Sequence, residues 1–295
     1  MLNLFKIISS QPAYFKQLNC KDLLFTQYDC PQIAPKESFF NECNYIAYVI
    51  SGKRIFHRHG KSWELTEGKS VFVKKGVHIA EKLDGDGWCV MVFFIPDKYL
   101  QQLLKENRAS LSLKNLPPSN NDYLIEINVN KITEGFFYSM APYFIQEPPP
   151  ESTLLDLKFK ELILSILLNP ANRTLLSYFN SINNHYSTSL IEIMNANYMF
   201  NLSLDQYAKL TNRSLATFKR DFLKLYKTTP AKWVKEQRLL LSSDLLTSSA
   251  ISVQDIAYES GFENSTHFSR VFKEYFGISP LQYRNQPINV TTTKN

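Results

Sequence analysis

The sequence lacks most features that mark a secreted, membrane-bound or metal-dependent protein. Its 295 residues include four cysteines, with no CxxC pair and no His/Cys cluster, which argues against a disulfide framework or a zinc module. It has no uninterrupted apolar run of about 18 residues, and no basic leader followed by a long apolar segment at the start. These absences predict a soluble cytoplasmic protein with reduced thiols and no export signal.

Catalytic signatures are missing as well. The sequence contains no GxSxG elbow, no P-loop and no placed Cys/His dyad, so we expect no enzymatic activity and no cofactor. What the chain has is material for packing, because 44% of its residues are hydrophobic and 14% are aromatic. That composition excludes wholesale disorder, and the length predicts two domains.

The positive charge is concentrated near the C-terminus. The whole chain carries +6, while residues 198–284 contain 12 Lys/Arg and 8 Asp/Glu, a net charge of +4. A basic segment suits a polyanionic partner such as nucleic acid, but many enzymes are equally basic. Charge alone therefore leaves the function open.

An internal repeat with a period of 50 residues organises this basic segment. Phe, Arg, Phe, an aromatic residue, Pro and a second aromatic residue recur in the same order in both copies: Phe218, Arg220, Phe222, Tyr226, Pro230 and Trp233, then Phe268, Arg270, Phe272, Phe276, Pro280 and Tyr283. Upstream the offset is 49, which places a one-residue insertion in the connecting turn, since loops absorb insertions.

Each copy has the pattern of two short helices joined by a tight turn. Ser203 and Ser252 are positioned to cap the first helices, with Gln206 and Asp255 three residues on. In the first copy, Asn212 and Ser214 stand where the second helix is expected to begin. In the second, Gly261 tolerates positive φ, and Asn264 and Ser265 follow. This pattern predicts two helix-turn-helix motifs, at about 203–226 and 252–276.

The second helix of each copy has an aromatic face and a polar face. The residues predicted to pack inward are Phe218, Phe222, Leu225 and Tyr226, then Phe268, Phe272 and Phe276. The outward stripes are Ala216, Lys219, Arg220 and Leu223, then Thr266, Ser269, Arg270 and Lys273. Arginine suits bidentate contact with guanine or phosphate. A solvated charged face is the alternative, and the recurrence of the stripe favours DNA.

A continuous helix is predicted between the copies, from Pro230 to Leu246, because this stretch is rich in leucine and has no internal glycine or proline. Such a helix would space the two motifs so that both second helices enter successive major-groove segments, about 34 Å apart.

The segment from Ser252 to Tyr283, SVQDIAYESGFENSTHFSRVFKEYFGISPLQY, closely resembles the signature of AraC/XylS-type transcription regulators. LKFKELIL from Leu157 and RSLATFKR from Arg213 resemble the ExsA-like subgroup. The resemblance implies promoter DNA and RNA polymerase as partners, and activation of transcription. The DNA-contacting residues expected are Leu215, Ala216, Thr217, Lys219, Arg220, Ser265, Thr266, Ser269, Arg270 and Lys273. Ala216 is smaller than the contacting residue of many relatives, so a thymine methyl contact is one option there.

The N-terminal region has the pattern of an antiparallel β-domain. Short apolar runs between residues 44 and 95 are separated by Ser51-Gly52, His59-Gly60, Glu67-Gly68 and residues 84–87. The series is similar to the cupin jelly roll that precedes the DNA-binding part in many family members. We therefore predict an α+β protein with a cupin-like β-barrel sensor domain at 1–147 and an all-α DNA-binding domain at 190–286.

Three histidines invite a metal-site hypothesis. His57, His59 and His78, with Glu64, are ligand types that suit Mn, Fe or Zn. In metal-binding cupins, however, the HxH pair precedes the Val-x-Ser-Gly turn, and residues 34–40 contain no histidine. We therefore expect no metal.

A proline run, Pro148–Pro150, predicts a boundary and a stiff spacer. After it we expect a helical linker at 151–186, whose first helix is capped at Ser152 and ended by Pro170. Its apolar face either packs on the barrel or pairs with a second protomer as a dimerisation surface, formed by Leu155, Phe159, Leu162 and Ile166. Helices at 174–182 and 190–200 lead on, and the tail from Pro287 is predicted to be frayed.

Three functional interpretations remain. The favoured one is a sequence-specific DNA-binding activator with a helix that dimerises and a sensor domain that binds a small-molecule effector. A second keeps the regulator but lets a regulatory protein bind the N-terminal domain. The third is a cupin-type enzyme with a helical interaction module, which needs the absent cupin histidines and does not need two matched arginine stripes.

Overall fold

The computed structural model describes residues 1–29, 34–58, 60–83, 87–119, 122–184 and 190–285. The chain divides into two compact units, Met1–Thr188 and Ser189–Asn295. His59, residues 84–86 and the tail from Pro287 lie outside the described residues. The described part is α+β, as predicted: the first unit contains the strands and five α-helices, and the second unit is helical.

The first unit combines a curved sheet with helices. Its strands are β1 (Leu2–Asn3), β2 (Lys16–Cys20), β3 (Leu23–Asp29), β4 (Lys36–Asn41), β5 (Asn44–Arg58), β6 (Lys61–Thr66), β7 (Ser70–Val73), β8 (Gly76–Lys82), β9 (Trp88–Ile95) and β10 (Leu124–Ile127). Its α-helices are α1 (Leu4–Ser10), α2 (Asp97–Glu106), α3 (Lys131–Met140), α4 (Ser152–Leu168) and α5 (Arg173–Asn184), with 3-10 turns at Ala141–Phe144 and Pro170–Asn172.

Strand β5 is shared by the two halves of the sheet. Its first part pairs with β9 and β7, and its last part pairs with β6 and β8. The main path runs β1-β4-β8-β5-β9-β3-β2, and all pairs except β1 with β4 are antiparallel. An antiparallel β-domain is therefore confirmed.

Gly52 was predicted to lie in a turn between strands, and it lies inside β5 instead. The register shifts between Val49 and Ser51, so a bulge bends the strand without ending it. Gly52 has φ +84°, and a Cβ there would lie 1.8 Å from the carbonyl oxygen of Gly87. Only glycine allows that approach of two backbones.

Alternate residues of β5 belong to two different cores. Tyr45, Ala47 and Val49 pack on one side of the sheet with residues such as Phe94 and Val71. Ile46 and Tyr48 pack on the other side with the helices. Successive side chains of a strand point to opposite faces of the sheet, so the sheet separates two apolar cores.

The four residues predicted to form a dimer surface lie in the helix-side core. Leu155, Phe159, Leu162 and Ile166 are each at most 1% exposed, and the Phe159 ring stacks on Phe25 at 5.2 Å. The dimerisation assignment of this face is wrong, because the sheet covers it. Of the two alternatives, packing on the β-domain applies.

The predicted linker is part of the first unit. Helices α4 and α5 pack in its core, and the division falls after Thr188 rather than at Pro148–Pro150. Ser152 is the first residue of α4 and not its cap, since Glu151 holds the cap position without a side-chain bond. The Ser152 hydroxyl donates instead to Cys20 Sγ at 3.3 Å. The helix ends at Leu168, before Pro170, as predicted.

The second unit is helical over residues 190–285, with α6 (Leu190–Asn197), α7 (Leu204–Leu210), α8 (Leu215–Tyr226), α9 (Pro230–Ser248), α10 (Val253–Glu259), α11 (Ser265–Phe276) and α12 (Pro280–Arg284). The continuous helix predicted from Pro230 is confirmed and runs two residues beyond Leu246. Helices α7 and α8 form one copy of the repeat, and α10 and α11 form the other.

Candidate nucleic-acid interface

Local signals start both motifs as the sequence predicts. Ser203 and Gln206 form a complete capping box at α7, and Ser252 Oγ accepts from the Asp255 backbone N–H at 3.0 Å. The turns that follow both need positive φ, which Asn212 adopts at +55° and Gly261 at +87°. Asparagine and glycine are the two residues best suited to that conformation.

The recognition helices α8 and α11 begin and end alike. Ser214 caps α8 by accepting from the Thr217 N–H at 3.2 Å, and Asn264 caps α11 by accepting from two backbone N–H groups. Both C-caps are left-handed, Lys227 at φ +56° and Gly277 at +82°. The second copy places glycine where the first strains a lysine.

The aromatic faces are buried. Phe218, Phe222, Phe268 and Phe272 are fully buried at 0% exposure, which fixes the rotation of both helices about their axes. Leu225 was predicted to pack inward and is 49% exposed, so that prediction is wrong.

On the outward face of α8, Leu215, Ala216, Lys219 and Arg220 are exposed. Thr217 is half-buried, and its hydroxyl accepts a hydrogen bond from Ser214 Oγ at 2.9 Å. The Thr217 hydroxyl is therefore engaged by the capping residue Ser214, while the other four side chains remain accessible to a partner.

On the outward face of α11, Thr266, Arg270 and Lys273 are exposed, and Ser265 and Ser269 are half-buried. Ser269 Oγ donates to the Ser265 carbonyl at 2.9 Å, so this hydroxyl is satisfied within its own helix. The helix offers fewer free polar groups than its sequence indicates.

Acidic neighbours accompany both matched arginines. Asp221 lies 3.5 Å from Arg220 Nε and also accepts from Arg213 Nε at 3.2 Å. Glu274 lies 3.4 Å from Arg270 Nη1, one helical turn further on. Both arginines remain mostly exposed, at 75% and 67% of their side-chain area, so neither ion pair prevents contact with a partner.

Arg238 of α9 connects the second motif to the start of the unit. Its guanidinium donates to the carbonyls of Tyr198 at 2.7 Å, Gly261 at 2.8 Å and Phe200 at 2.9 Å. Burial lowers its pKa from the usual value. Three accepting oxygens hold the charge in place and fix the turn that precedes α11.

A known domain family matches each of the two units. An ExsA N-terminal regulatory domain model matches residues 44–178, and a helix-turn-helix domain model matches residues 207–286. The chain is similar to the thermoregulatory protein LcrF of Yersinia pestis, at 25% identity over 82% of this chain and 89% of LcrF. It is also similar to the transcriptional regulator ExsA of Pseudomonas aeruginosa, at 26% identity over 91% and 95%. The crystal structure of ToxT from Vibrio cholerae aligns with a TM-score of 0.41 at 17% identity, over 90% of this chain and 98% of ToxT.

The chain belongs to the AraC/XylS family of transcription regulators. It is a transcription regulator with an N-terminal regulatory domain and a helix-turn-helix DNA-binding domain. The ExsA-like resemblance noted in the sequence is confirmed by the domain match. No helix among the described residues is both long and apolar enough to cross a membrane.

Three side chains of this AraC/XylS-family interface were not among the predicted contacts. Lys224, Lys227 and His267 are exposed beside the predicted stripes. Lys224 follows Arg220 by four residues, so extending the same helical spacing by one turn would have found it. His267 precedes a buried phenylalanine, and no spacing signal distinguishes it.

The first unit contains an apolar cavity of about 390 Å³. Aromatic and aliphatic side chains form most of its wall, among them Tyr45 and Trp88, and the polar residues Glu37, Arg54 and His78 also line it. Arg54 is 2% exposed and stacks over the Trp88 ring at 5.4 Å. The cavity is large enough for a small organic ligand.

His78 presents a neutral imidazole to this cavity. Burial, with the nearby Arg58 charge, lowers its pKa to about 3. Nδ1 lies 3.3 Å from the Asn41 amide nitrogen and 3.1 Å from the Tyr123 hydroxyl. Because an amide N–H₂ can only donate, Nδ1 is the acceptor and the proton is on Nε2.

The two described histidines of the metal-site hypothesis, His57 and His78, have separate partners. His57 contacts Ser62 Oγ at 2.7 Å and Glu81 at 2.5 Å, whereas His78 belongs to the buried Asn41–Tyr123 cluster. His59 lies outside the described residues. Within the described ranges, no group of three His, Cys, Asp or Glu side chains is arranged to hold a metal ion.

Proposed function

We propose that this regulator activates transcription in the cytoplasm by placing α8 and α11 in successive major-groove segments of one asymmetric half-site, next to RNA polymerase. The observation that carries the proposal is the pair of matched recognition helices with exposed arginine stripes on either side of α9. That helix has 19 residues, about 28 Å at 1.5 Å per residue. This length is close to one duplex turn.

The relatives support activation. VirF of Yersinia enterocolitica, 25% identical over 82% of this chain, is named a virulence regulon transcriptional activator. The likeness covers both units and not only the DNA-binding part. We therefore assign activation rather than repression.

Different side chains on the two helices take different parts in DNA binding. Arg220 and Arg270 occupy the same place in the two motifs and suit bidentate contact with guanine. Lys219 and Lys273 suit phosphate contact, and the methyl group of Ala216 suits a thymine methyl. Since the two stripes differ, the two halves of the recognised sequence differ too.

Binding-site selection at fixed salt tests this assignment with the wild type, Arg220→Ala and Arg270→Ala. Each variant is expected to lose about 1–3 kcal/mol on the selected site and to relax base preference at its own position, roughly one helical turn apart. Lys105→Ala, a lysine of the first unit, is the matched control and keeps the wild-type preference. If both arginine variants lose affinity for all sequences alike, the arginines contact phosphates and the base-readout assignment is wrong.

The first unit supplies the regulatory input, and its cavity supports a small molecule rather than a protein as the signal. An apolar wall with the Arg54 guanidinium and the neutral His78 imidazole suits a carboxylic acid with a compact hydrocarbon or aromatic body. Because Glu37 also lines the cavity, the carboxylate is placed at Arg54, the cation of the lining. Calorimetric titration with 3-phenylpropanoate is expected to show binding that 3-phenylpropanamide and the Arg54→Met variant lack. If the acid and the amide bind equally, or neither binds, the carboxylate assignment fails and a regulatory protein becomes the better candidate.

A further inference from the structure

The two helix-turn-helix motifs carry opposite net charges. Residues 203–227 contain six Lys/Arg and two Asp/Glu, a net charge of +4, whereas residues 252–277 contain two Lys/Arg and four Asp/Glu, a net charge of −2. Every phosphate of a duplex is negative, so the backbone attracts the first motif and repels the second before any base is read. The repeat is therefore symmetric in shape and asymmetric in electrostatics.

The asymmetry is sharpest four residues after the matched arginines. Arg220 is followed by Lys224, which is exposed, and Arg270 is followed by Glu274, whose carboxylate lies 3.4 Å from its guanidinium. These positions lie towards the C-terminal ends of the recognition helices, whereas base edges are read mainly from the N-terminal ends. At this position the first recognition helix presents the Lys224 ammonium to the DNA phosphates, and the second presents the Glu274 carboxylate.

Asp221 does not restore the balance in the first motif. Its carboxylate accepts from Arg213, whose side chain is 14% exposed, and forms an ion pair with Arg220 at 3.5 Å. Asp221 thus pairs with two arginines of its own motif, Arg213 and Arg220, whereas Glu274 pairs with Arg270. Glu274 is 58% exposed beside the outward-facing Arg270, and Glu259 and Glu263 add two more exposed carboxylates to the second motif.

We propose that Glu274 is a specificity-determining residue that keeps α11 off DNA of the wrong sequence. The first motif supplies the sequence-independent attraction, and the second joins only where correct base contacts offset the approach of Glu274 to the backbone. This inference rests on the proposed reading of DNA by both helices. It assigns different roles to the two helices: the first motif supplies affinity for any duplex, and the second motif supplies discrimination between sequences.

Charge exchange at the matched positions tests the proposal in the full-length protein. Glu274→Gln removes the carboxylate, Glu274→Lys gives the second motif the residue type of the first, and Lys224→Gln is the matched change in the first motif. Affinities are measured by fluorescence anisotropy on a random-sequence duplex and on the selected site, between about 50 and 200 mM salt. Far-ultraviolet circular dichroism and thermal unfolding confirm that each variant is folded.

Glu274→Gln is expected to bind the random duplex several-fold more tightly than the wild type and the selected site almost unchanged, so the specificity ratio falls. Glu274→Lys should also steepen the dependence of log K on log salt by about 0.9, the value for one added phosphate contact. Lys224→Gln should weaken binding to both duplexes equally and flatten the dependence by about the same amount.

Two outcomes overturn the proposal. If Glu274→Gln weakens the selected site and leaves the random duplex unchanged, Glu274 reads a base. If neither duplex responds, the charge of the second motif does not reach DNA. Failure of the proposed function gives a different result. In that case the wild type selects no sequence at all. The affinities of the wild type and of Glu274→Gln for the random duplex still report the effect of the charge.

Discussion

Arg238 Nη1 donates to the Gly261 carbonyl at 2.8 Å, and this bond joins the helix between the motifs to the turn of the second motif. A Cβ at Gly261 would lie 2.4 Å from the Met199 carbonyl oxygen and 3.0 Å from Arg238 Nε. The left-handed turn and the half-buried guanidinium therefore depend on each other. Two residues 23 positions apart set the direction in which α11 begins.

Removal of the Arg238 side chain should destabilise the second unit strongly. Arg238→Ala leaves three carbonyl oxygens without their charged donor, and we expect a loss of about 3 kcal/mol in the free energy of unfolding. Urea denaturation followed by circular dichroism measures it. Lys235→Ala, an exposed change on the same helix, should stay within about 0.5 kcal/mol of the wild type. Equal midpoints for the two variants would show that the three bonds contribute nothing to stability.

The left-handed C-cap of α8 offers a stabilising substitution. Lys227 adopts φ +56°, the conformation that Gly277 adopts at the end of α11. Lys227→Gly should raise the free energy of unfolding by about 0.5–1 kcal/mol, because relief of strain exceeds the added freedom of the unfolded chain. Gly277→Ala should lower it by about 1 kcal/mol. Both are measured without DNA, and a loss of stability in Lys227→Gly would contradict the strain argument.

The buried face of α4 holds the first unit together. Leu162 is 0% exposed and Leu157 is 59% exposed on the same helix. Leu162→Ala should cost about 2–5 kcal/mol through a cavity in the core, while Leu157→Ala should change stability by less than about 0.5 kcal/mol. Thermal unfolding compares them directly. Equal effects would mean that α4 does not pack as described.

Leu155→Glu with Leu162→Glu places two carboxylates in that core. We expect the first unit to unfold, with loss of its β-sheet circular dichroism signal. A folded monomer in sedimentation velocity, formed from a dimeric wild type, would restore the dimer interpretation of this face.

His78 makes the first unit sensitive to acid. Its folded pKa of about 3 is below the usual value of about 6.5 for an unfolded chain. Below pH 6.5 the unfolded state therefore binds a proton that the folded state excludes, and stability falls by about 1.4 kcal/mol per pH unit from this group, down to about pH 3. Urea unfolding at several pH values should give a shallower decline for His78→Gln than for the wild type. Parallel curves would contradict the burial of a neutral imidazole.

The helix-turn-helix unit was largely predictable from the sequence because its signals are local. Caps such as Ser203 and Ser214 act within three residues, and the repeat supplied each assignment twice. The hydroxyl of Ser269 was harder, since its spacing marks it as outward while its bond to the Ser265 carbonyl satisfies it inside the helix. Helical spacing gives a direction but no hydrogen-bond partner.

The first unit was less predictable because its decisive contacts are distant in sequence. The apolar face of α4 was visible, but its partner Phe25 lies more than a hundred residues earlier in the chain. Two surfaces could have covered that face, and periodicity does not choose between them. The turn predicted at Gly52 was wrong for a local reason. A glycine often marks the end of a strand, but here it allows β5 to bend and continue.

The alternation along β5 separates two kinds of evolutionary change. Tyr45 and Ala47 line the cavity, while Ile46 and Tyr48 hold the helices. Substitutions at the first pair reshape the space offered to a ligand, and the backbone between them remains clamped from the opposite side. Beyond the bulge the parity reverses, since Arg54 and Phe56 also line the cavity. The cavity wall can therefore vary at alternate positions of a single strand, while Ile46 and Tyr48 preserve the packing of the helices.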